Sequence, residues 1–466
     1  MKKKQPNLLF IMPDEFRQMS MGFLGQDPTL TPCINRLAEE SLCLPNAVSS
    51  YPVCSPYRAS LFTGQYPWRN GVVGNCNTST AQFGVYLSPG KTTLTDVLAD
   101  GGYECGYVGK YHLDTPEPKD FDYIESRRGD GKVWDAFTPP HRRHKINFWY
   151  SYGCNDKHFK PHYWHNDDKV EDVREVEEWA PAHEADVVMR YLKNEDDRLR
   201  DSDKPFALFW SPNPPHMPFD QVPDSYKALY ADRTPEELLT RPNALREPAP
   251  EIPENQRAER DAFRETATRH VANYFAAVSG IDEQVGKILD TLEHCGLAED
   301  TIVIFTSDHG DMMGSHSLMY KGLWYDECFK VPFLIRWPGR IVPGKKDFFL
   351  NPADIMPTLL GLTGLECPTG VEGQNLAAGL TADWTPARDE GYYINPAVNA
   401  RGVQDHRYYF VVVRDHHDEE LTILYDREAD PFQQENIAAS HPEVVAAMRG
   451  RLEEWLLRTD DVWVRK

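Results

Sequence analysis

Apolar residues in this chain come in short unbroken blocks, separated by stretches where they recur every three or four positions. Asn7-Leu8-Leu9-Phe10-Ile11-Met12 lies between Pro6 and Pro13, and Tyr103 to Val108, Pro205 to Trp210 and Thr301 to Thr306 have the same character. Blocks without polar alternation fit strands buried on both faces of a parallel sheet. Phe333-Leu334-Ile335 adds one more before the Trp337-Pro338-Gly339 turn. Helical spacing fills the intervals. Thr31-Pro32 opens a short helix through Leu37 and Leu42, with Thr31 as N-cap. Leu94, Val97 and Leu98 share a face between Thr93 and Asp100. Val271, Phe275, Val278, Ile281, Val285, Ile288 and Leu292 mark an amphipathic helix stopped at Gly296. The alternation predicts an α/β fold, a large mostly parallel sheet sandwiched by helices.

After about Gly373 the pattern changes. Tyr392 to Ile394, Tyr408 to Val413 and Leu421 to Tyr425 read as short antiparallel strands, and His441 to Leu457 as a last amphipathic helix. The expected division is a catalytic domain over residues 1–373 and a smaller α+β subdomain over 374–466. Asp114 to Asp201 is polar, aromatic and charge-rich, and reads as an insertion of loops. Its Trp134, Trp149, Tyr150, Tyr152, Trp164 and His165 either line a pocket or pack beneath those loops. Pro223 to Gln256 reads as a surface excursion. Internal repeats and low-complexity tracts are absent from the sequence.

Composition narrows the partners. The chain has 466 residues with 41% apolar content, enough for a sizeable core. Fifty basic against seventy-two acidic residues leave a net charge of −22, which repels nucleic acid and anionic membrane. An anionic substrate would therefore need its own local positive field. Nine cysteines without C-x-x-C pairs point to a reducing compartment. Met1-Lys2-Lys3-Lys4 imitates the start of a signal peptide, but the apolar run to Met12 is too short for its core and ends at Asp14. No stretch is long enough to span a membrane. The expected location is cytoplasmic.

Chemistry gathers where the blocks end. Cys54-Ser55-Pro56-Tyr57-Arg58 reads as a loop entering a helix that stops at Gly64. Cys54 then sits at a helix N-terminus, which favours negative charge, and Arg58 one turn on can fold its guanidinium back over it. Asp14 and Glu15 follow the first block directly. Lys110 and His112 alternate along an extended backbone, so both face one side. His216 stands in the proline-stiffened Pro214-Pro215-His216-Met217-Pro218, Asp308 and His309 follow the Thr301 block, and Lys321 comes soon after. In open α/β sheets, ligands lie beyond the carboxyl ends of the strands. Each position alone has a bland reading: a buried cysteine, a solvated strand end, a structural histidine. Together they fit a site for a tetrahedral oxyanion, with carboxylates and imidazole for a divalent cation, and lysines and arginine against the anion.

The segment Cys54-Ser55-Pro56-Tyr57-Arg58-Ala59-Ser60-Leu61-Phe62-Thr63-Gly64 resembles the C-x-P-x-R signature of the type I, formylglycine-dependent sulfatases of the alkaline phosphatase superfamily. Blocks at Pro6 to Met12, Gly109 to Leu113, Pro215 to Phe219, Thr306 to Asp311, and Leu424 through Asn436 are similar to family blocks in the same order. The resemblance implies that Cys54 is converted to formylglycine, whose hydrate attacks sulfur. It implies that Arg58 and Lys110 stabilise nucleophile and sulfate, and that His112 takes the proton that lets the aldehyde reform. It gives His216 and Lys321 the sulfate, with His216 as acid for the leaving alcohol. Asp14, Glu15, Asp308 and His309, with residue 54, would hold one cation, Ca²⁺ first and Mn²⁺ or Mg²⁺ as alternatives. A thiolate would leave a thiosulfate ester needing a second attack, whereas a geminal diol expels its own ester by losing a proton.

Two positions depart from the family pattern. Glu15 stands where a second Asp is common, and His309 where many members have Asn. The second departure resembles the related phosphonate monoester hydrolases and phosphodiesterases, which are the runner-up activity. An inactive anion-binding relative is the third reading, opposed by the intact nucleophile position. The expected substrate is a small-molecule or oligosaccharide sulfate ester. The expected protein partner is a formylglycine-generating or anaerobic sulfatase-maturating enzyme.

Overall fold

The computed structural model describes residues 5–124, 131–195, 198–382 and 384–464, so Met1 to Lys4 lie outside the described residues. The apolar blocks are strands of one large sheet: β1 (Asn7–Ile11), β2 (Leu42–Cys43), β3 (Glu104–Lys110), β4 (Phe148–Tyr152), β5 (His162–His165), β6 (Arg174–Glu175), β7 (Phe206–Ser211), β8 (Thr301–Thr306), β9 (Phe333–Arg336) and β10 (Gly344–Lys345). Their spatial order is β10-β2-β9-β8-β1-β7-β3-β4-β5-β6. The contiguous five from β8 to β4 run parallel, while β9 and β5 pair antiparallel at either side.

β1 is central, and its pleat sorts the core. Leu8 and Phe10 point into a cluster with Leu61, Phe62, Leu94 and Met356, under the Cys54–Thr63, Leu94–Asp100 and Pro352–Thr363 helices. Leu9 and Ile11 point into a second cluster with Val188, Val271, Phe275 and Ile288, under the Ala180–Lys193 and Arg260–His294 helices. Helices on both faces explain why these strands show no polar alternation. Register then fixes the site. Ile11 lies opposite Trp210 and Phe305, and Gly109 opposite Ser211, so β1, β3, β7 and β8 all end at one edge. Gly109 is required there: its φ is +95°, and a Cβ would come within 2.4 Å of the Ser211 carbonyl oxygen.

The smaller sheet is the meander β11 (Gly391–Asn395), β12 (Ala400–Gln404), β13 (Tyr408–Arg414) and β14 (Glu420–Asp426). One face packs on the Pro442–Arg458 helix, where Trp455 stacks on Tyr392 at 4.9 Å. The other packs on Trp324, Tyr325 and Phe329.

Several expectations are corrected. The helix after Thr31 ends at Glu39, and Leu42 belongs to β2. Thr31 occupies the N-cap position, but Asp282 accepts the end N–H groups of Cys33 and Ile34, at 3.1 and 2.6 Å. The stretch read as loops from Asp114 holds β4, β5, β6 and the Ala180–Lys193 helix. The Pro352–Thr363 helix is buried nearly all round, so it offers no amphipathic stripe. β12 was hidden by its buried Arg401, whose charge Asp461 takes at 2.6 and 3.2 Å.

Candidate active site

The Cys54–Thr63 helix is buried along its whole length and ends at Gly64 with φ of 63°. Cys54 is its first residue, so the helix N-terminus points at the ends of β1, β3 and β8. The thiol Sγ lies 3.2 Å from His309 Nε2, 3.6 Å from Asp14 Oδ1 and 3.8 Å from Lys110 Nζ. The turn after β1 is held to its neighbours, with Asp14 N–H donating to the Pro212 carbonyl and Glu15 N–H to Asp308 Oδ1.

Arg58 interacts electrostatically with Cys54, while its hydrogen bonds go to two carboxylates. Its Nη2 lies 3.0 Å from both Asp14 Oδ2 and Asp308 Oδ2, and Nε donates to Asp308 Oδ2 at 3.1 Å. Nη1 donates to the Lys110 carbonyl and to Ser211 Oγ. Planar, multidentate geometry is what arginine offers over lysine, and here it clamps two carboxylates in a dry interior. Lys110 Nζ adds an ion pair to Asp14 Oδ2 at 2.7 Å. Burial alone would push the Asp14 carboxyl up, but Lys110, His216, Lys321 and His309 more than reverse this and hold it well below its ordinary range. Burial would likewise lower Lys110, and Asp14 raises it instead.

The cations sit on the outer oxygen of Asp14, and its inner oxygen faces Cys54 and His309. Ligand atoms from Asp14, Cys54, Asp308 and His309 lie within 4.8 Å of one another, all buried, and a second trio is Asp14, Glu15 and His216. Glu15 Oε1 is buried without a hydrogen-bond partner. An oxygen-rich set with one imidazole suits a hard or borderline divalent cation, so the residues present fit one.

Glu15 differs from Asp14 in its partners. Its Oε2 accepts from Lys321 Nζ at 2.9 Å and lies 3.3 Å from His216 Nε2. Burial raises its carboxyl to about 8, against the opposing pull of Lys321. His216 Nδ1 is 2.7 Å from the Met217 carbonyl oxygen. Lys321 is held well above its ordinary value by Cys54 and Glu15, against burial. His112 stands beside the thiol in a left-handed conformation, φ 51°, not on extended backbone as expected. Its Nε2 is 3.1 Å from the Cys76 carbonyl oxygen, and burial leaves its pKa lowered despite the thiol contact. Glu15, at φ 65°, is similarly strained, as is common where backbone serves a site. Lys321, His216, His112, Glu15 and Cys54 line one small cavity of about 130 Å³, with Asn75, Trp134, Cys154 and Tyr320.

All ten sequence-predicted site residues thus meet at one sheet edge. Three neighbours were missed. Asn213 accepts from Lys110 Nζ at 3.0 Å, and donates to the Asn155 carbonyl. Its place in the same proline-rich segment as His216 was the available signal. Cys154 and Tyr320 come from segments that carried no motif.

A family model described as Sulfatase matches residues 6–365. This chain belongs to the sulfatase family. The model described as N-sulphoglucosamine sulphohydrolase, C-terminal, matches residues 314–458 of the same sulfatase. It is 36% identical to an endo-4-O-sulfatase of Bacteroides thetaiotaomicron, across 99% of this chain and 93% of the relative. A solved Bacteroides thetaiotaomicron structure, described with the metabolism of multiple glycosaminoglycans, superposes with a TM-score of 0.88 at 34% identity, covering 99% and 98% of the two chains. A phosphonate monoester hydrolase of Agrobacterium radiobacter shares the fold, with a TM-score of 0.72 at 22% identity, over 98% and 96% of the two chains. The protein is a formylglycine-family sulfatase of the alkaline phosphatase superfamily, an enzyme that hydrolyses sulfate esters. Among its described residues no helix is long and apolar enough to cross a membrane.

Proposed function

We propose that this sulfatase cleaves a sulfate monoester on a sugar, with Cys54 matured to formylglycine and one divalent cation held by Asp14, Asp308, His309 and residue 54. Ca²⁺ is the first choice, with Mn²⁺ or Mg²⁺ as substitutes. The observation that carries the reading is the Cys54 side chain, at a helix N-terminus, sharing one small cavity with His112, His216 and Lys321 and backed by Lys110 Nζ at 3.8 Å. When present, the aldehyde's hydrate supplies the attacking hydroxyl and the cation draws charge from the sulfate oxygens. The sugar follows the similar solved structure described with the metabolism of multiple glycosaminoglycans.

The chain's own groups do the rest. Lys110 helps keep Asp14 ionised, and Arg58 fixes Asp14 and Asp308 in place. Lys321 and His216 face the cavity and hold the sulfate oxygens. As the bond from sulfur to the sugar oxygen breaks, His216 delivers a proton to that oxygen. His112, neutral because burial lowers its pKa, is prepared to accept a proton from the residue-54 side chain. Loss of that proton restores the aldehyde and frees sulfate. Glu15, bonded to Lys321 and His216, serves by orienting both, as well as by offering its unpartnered oxygen to the cation.

All nine cysteines are free, which supports a reducing, cytoplasmic setting, and a formylglycine-generating or anaerobic maturating enzyme is the implied partner. The division at residue 373 is part of the same reading. A phosphonate monoester or phosphodiester hydrolase is the second reading, favoured by His309, whose imidazole lies 3.2 Å from Sγ. Parallel assays of formylglycine-bearing protein with a nitrophenyl sulfate and a nitrophenyl phosphodiester separate the two. Faster sulfate turnover is expected, and a dominant phosphodiester rate would overturn the choice.

A further inference from the structure

The molecule has a second cavity, of about 410 Å³, that shares no lining residue with the one at Cys54. The turn at Gln18, the Thr240–Pro242 segment, the Asp326–Phe329 helix with Lys330, and the segments at Arg427 and Phe432 below the small sheet meet there. Three permanent cations line it, Arg241, Lys330 and Arg427. In a chain of net charge −22, a concave surface of that sign focuses a field that the rest of the protein opposes.

The charges there do not balance. Arg241 is bound by Glu327, with Nε at 3.0 Å and Nη2 at 2.9 Å, and its guanidinium lies 5.2 Å from the Phe432 ring centre. Lys330 pairs with Asp326 at 3.0 Å. Arg427 has no carboxylate partner among the described residues. Its Nη1 donates to the Asp405 and His406 carbonyls, its Nη2 to Asn46 Oδ1, and its Nε is buried without an acceptor. The imidazole of His406, at the rim, is taken by Asp389. One positive charge is thus left over, beside two others whose partners are already engaged. Burial pulls Lys330 down from its ordinary value, and Arg427 and Arg241 push the same way against Asp326. An arriving anion would relieve that repulsion.

We propose that this cavity is a second anion site, which takes a sulfate group carried on a sugar unit. The volume lies in the range that holds a small organic ligand, more room than a bare tetrahedral ion needs. Besides the cations, the wall offers the amide and hydroxyl groups of Gln26 and Thr240 and the ring of Phe432, the mixture of hydrogen-bonding and apolar faces that a pyranose presents. The sugar part rests on the sulfatase reading above; the anion part does not. The site would hold a sulfated unit that is not the one being cleaved.

The test uses the full chain, titrated calorimetrically at fixed ionic strength with inorganic sulfate, glucose 6-sulfate and glucose, together with crystals soaked in selenate. Selenate is expected between Arg427 and Lys330, in addition to any ion at Cys54. Glucose 6-sulfate is expected to bind this cavity more tightly than inorganic sulfate, and glucose not at all. Lys330→Gln should weaken that second binding event tenfold or more, with the melting temperature and nitrophenyl sulfate turnover little changed. Arg427→Lys, which keeps the charge but loses the fork, serves if Lys330→Gln does not fold, and should weaken it likewise. An empty cavity in the selenate crystals, unchanged affinity in the variants, or equal binding of glucose would overturn the proposal. Equal affinity for inorganic sulfate would overturn the sugar part and assign the site to the free ion. A protein that lacks turnover yet binds selenate here would sink the sulfatase reading and support this one.

Discussion

Two fully buried carboxyls stand a few residues from the same sheet edge and behave oppositely. Asp14 is ringed by Arg58, Lys110, His216 and Lys321, and its carboxyl is held well below the ordinary range. Glu184, from the Ala180–Lys193 helix, meets neutral donors, Trp210 Nε1 and Tyr163 OH, both at 3.0 Å, and the Tyr152 hydroxyl. Burial raises it to about 8, despite those hydrogen bonds. The lesson is that hydrogen bonds alone do not keep a buried carboxylate charged; several converging cations do, since Glu15 with Lys321 as its one lysine partner is also raised to about 8. A protein that brings two cations to Asp14 has built a place for charge to be handled, whereas Glu184 is a neutral acid that joins helix to sheet.

The strongest way to break the charged side is to remove its reactive atom. Cys54→Ala changes little volume. It should lower sulfate ester turnover by about 10⁴-fold or more, with the melting temperature nearly kept, as read by steady-state assay and thermal unfolding. Turnover within tenfold of the parent would mean that residue 54 is not the nucleophile.

Next in size is Arg58→Met. It leaves Asp14 and Asp308 without the guanidinium that joins them, and uncompensated buried charge of this kind costs about 3–5 kcal/mol. Denaturant unfolding should show that loss. Ca²⁺ should raise the parent's stability by roughly 2.7 kcal/mol at a hundredfold excess over its dissociation constant, and a chelator should remove it. An Asp308→Asn variant that gains as much from Ca²⁺ as the parent would count against this cluster as the cation site.

Asn213→Ala is gentler. Lys110 would keep Asp14 but lose its amide acceptor, a loss worth about 1.5–3 kcal/mol for a charged donor. A roughly tenfold fall in kcat with little change in KM is expected, and Asn213→Asp would shift the lysine's charge balance instead of restoring it. A change confined to KM would place Asn213 in substrate binding.

Much of this was legible in the sequence because the parallel strands are buried on both faces and end in polar turns. The blocks at Leu8, Phe206 and Thr301 announce themselves, with Asp14, Glu15, His216, Asp308 and His309 soon after their ends, while Cys54 and Arg58 came from the helix motif. What was not legible depends on partners distant in sequence. Arg58 looked like a cation for Cys54 at four residues' spacing, but Asp14 and Asp308 outbid the thiol for it. Arg401 made β12 look like a loop, since its neutralising Asp461 lies sixty residues on. His112 looked extended, but its φ of 51° is left-handed. The aromatic segment after Asp114 hid three strands, because its Tyr, Trp and His residues alternate with polar positions too irregularly to show a period.

Glu184→Gln tests the neutral side, and its effect is the smallest. The carboxyl's ordinary value is 4.5 and its folded value about 8, so between those limits the folded protein binds more protons than the unfolded chain. Stability contributed by the protonated form is fully present below about pH 4.5 and is lost as pH rises through 8. Glutamine cannot ionise. Its oxygen can accept from Trp210 while its amide donates to the Tyr163 hydroxyl, which can turn to accept. Melting temperatures between pH 5 and 9 should fall for the parent, by about 1 °C for each kcal/mol lost in a chain of 466 residues, and fall less for the variant. If the two profiles run parallel, Glu184 is ionised in the folded protein after all, and the contrast with Asp14 collapses to a difference in degree.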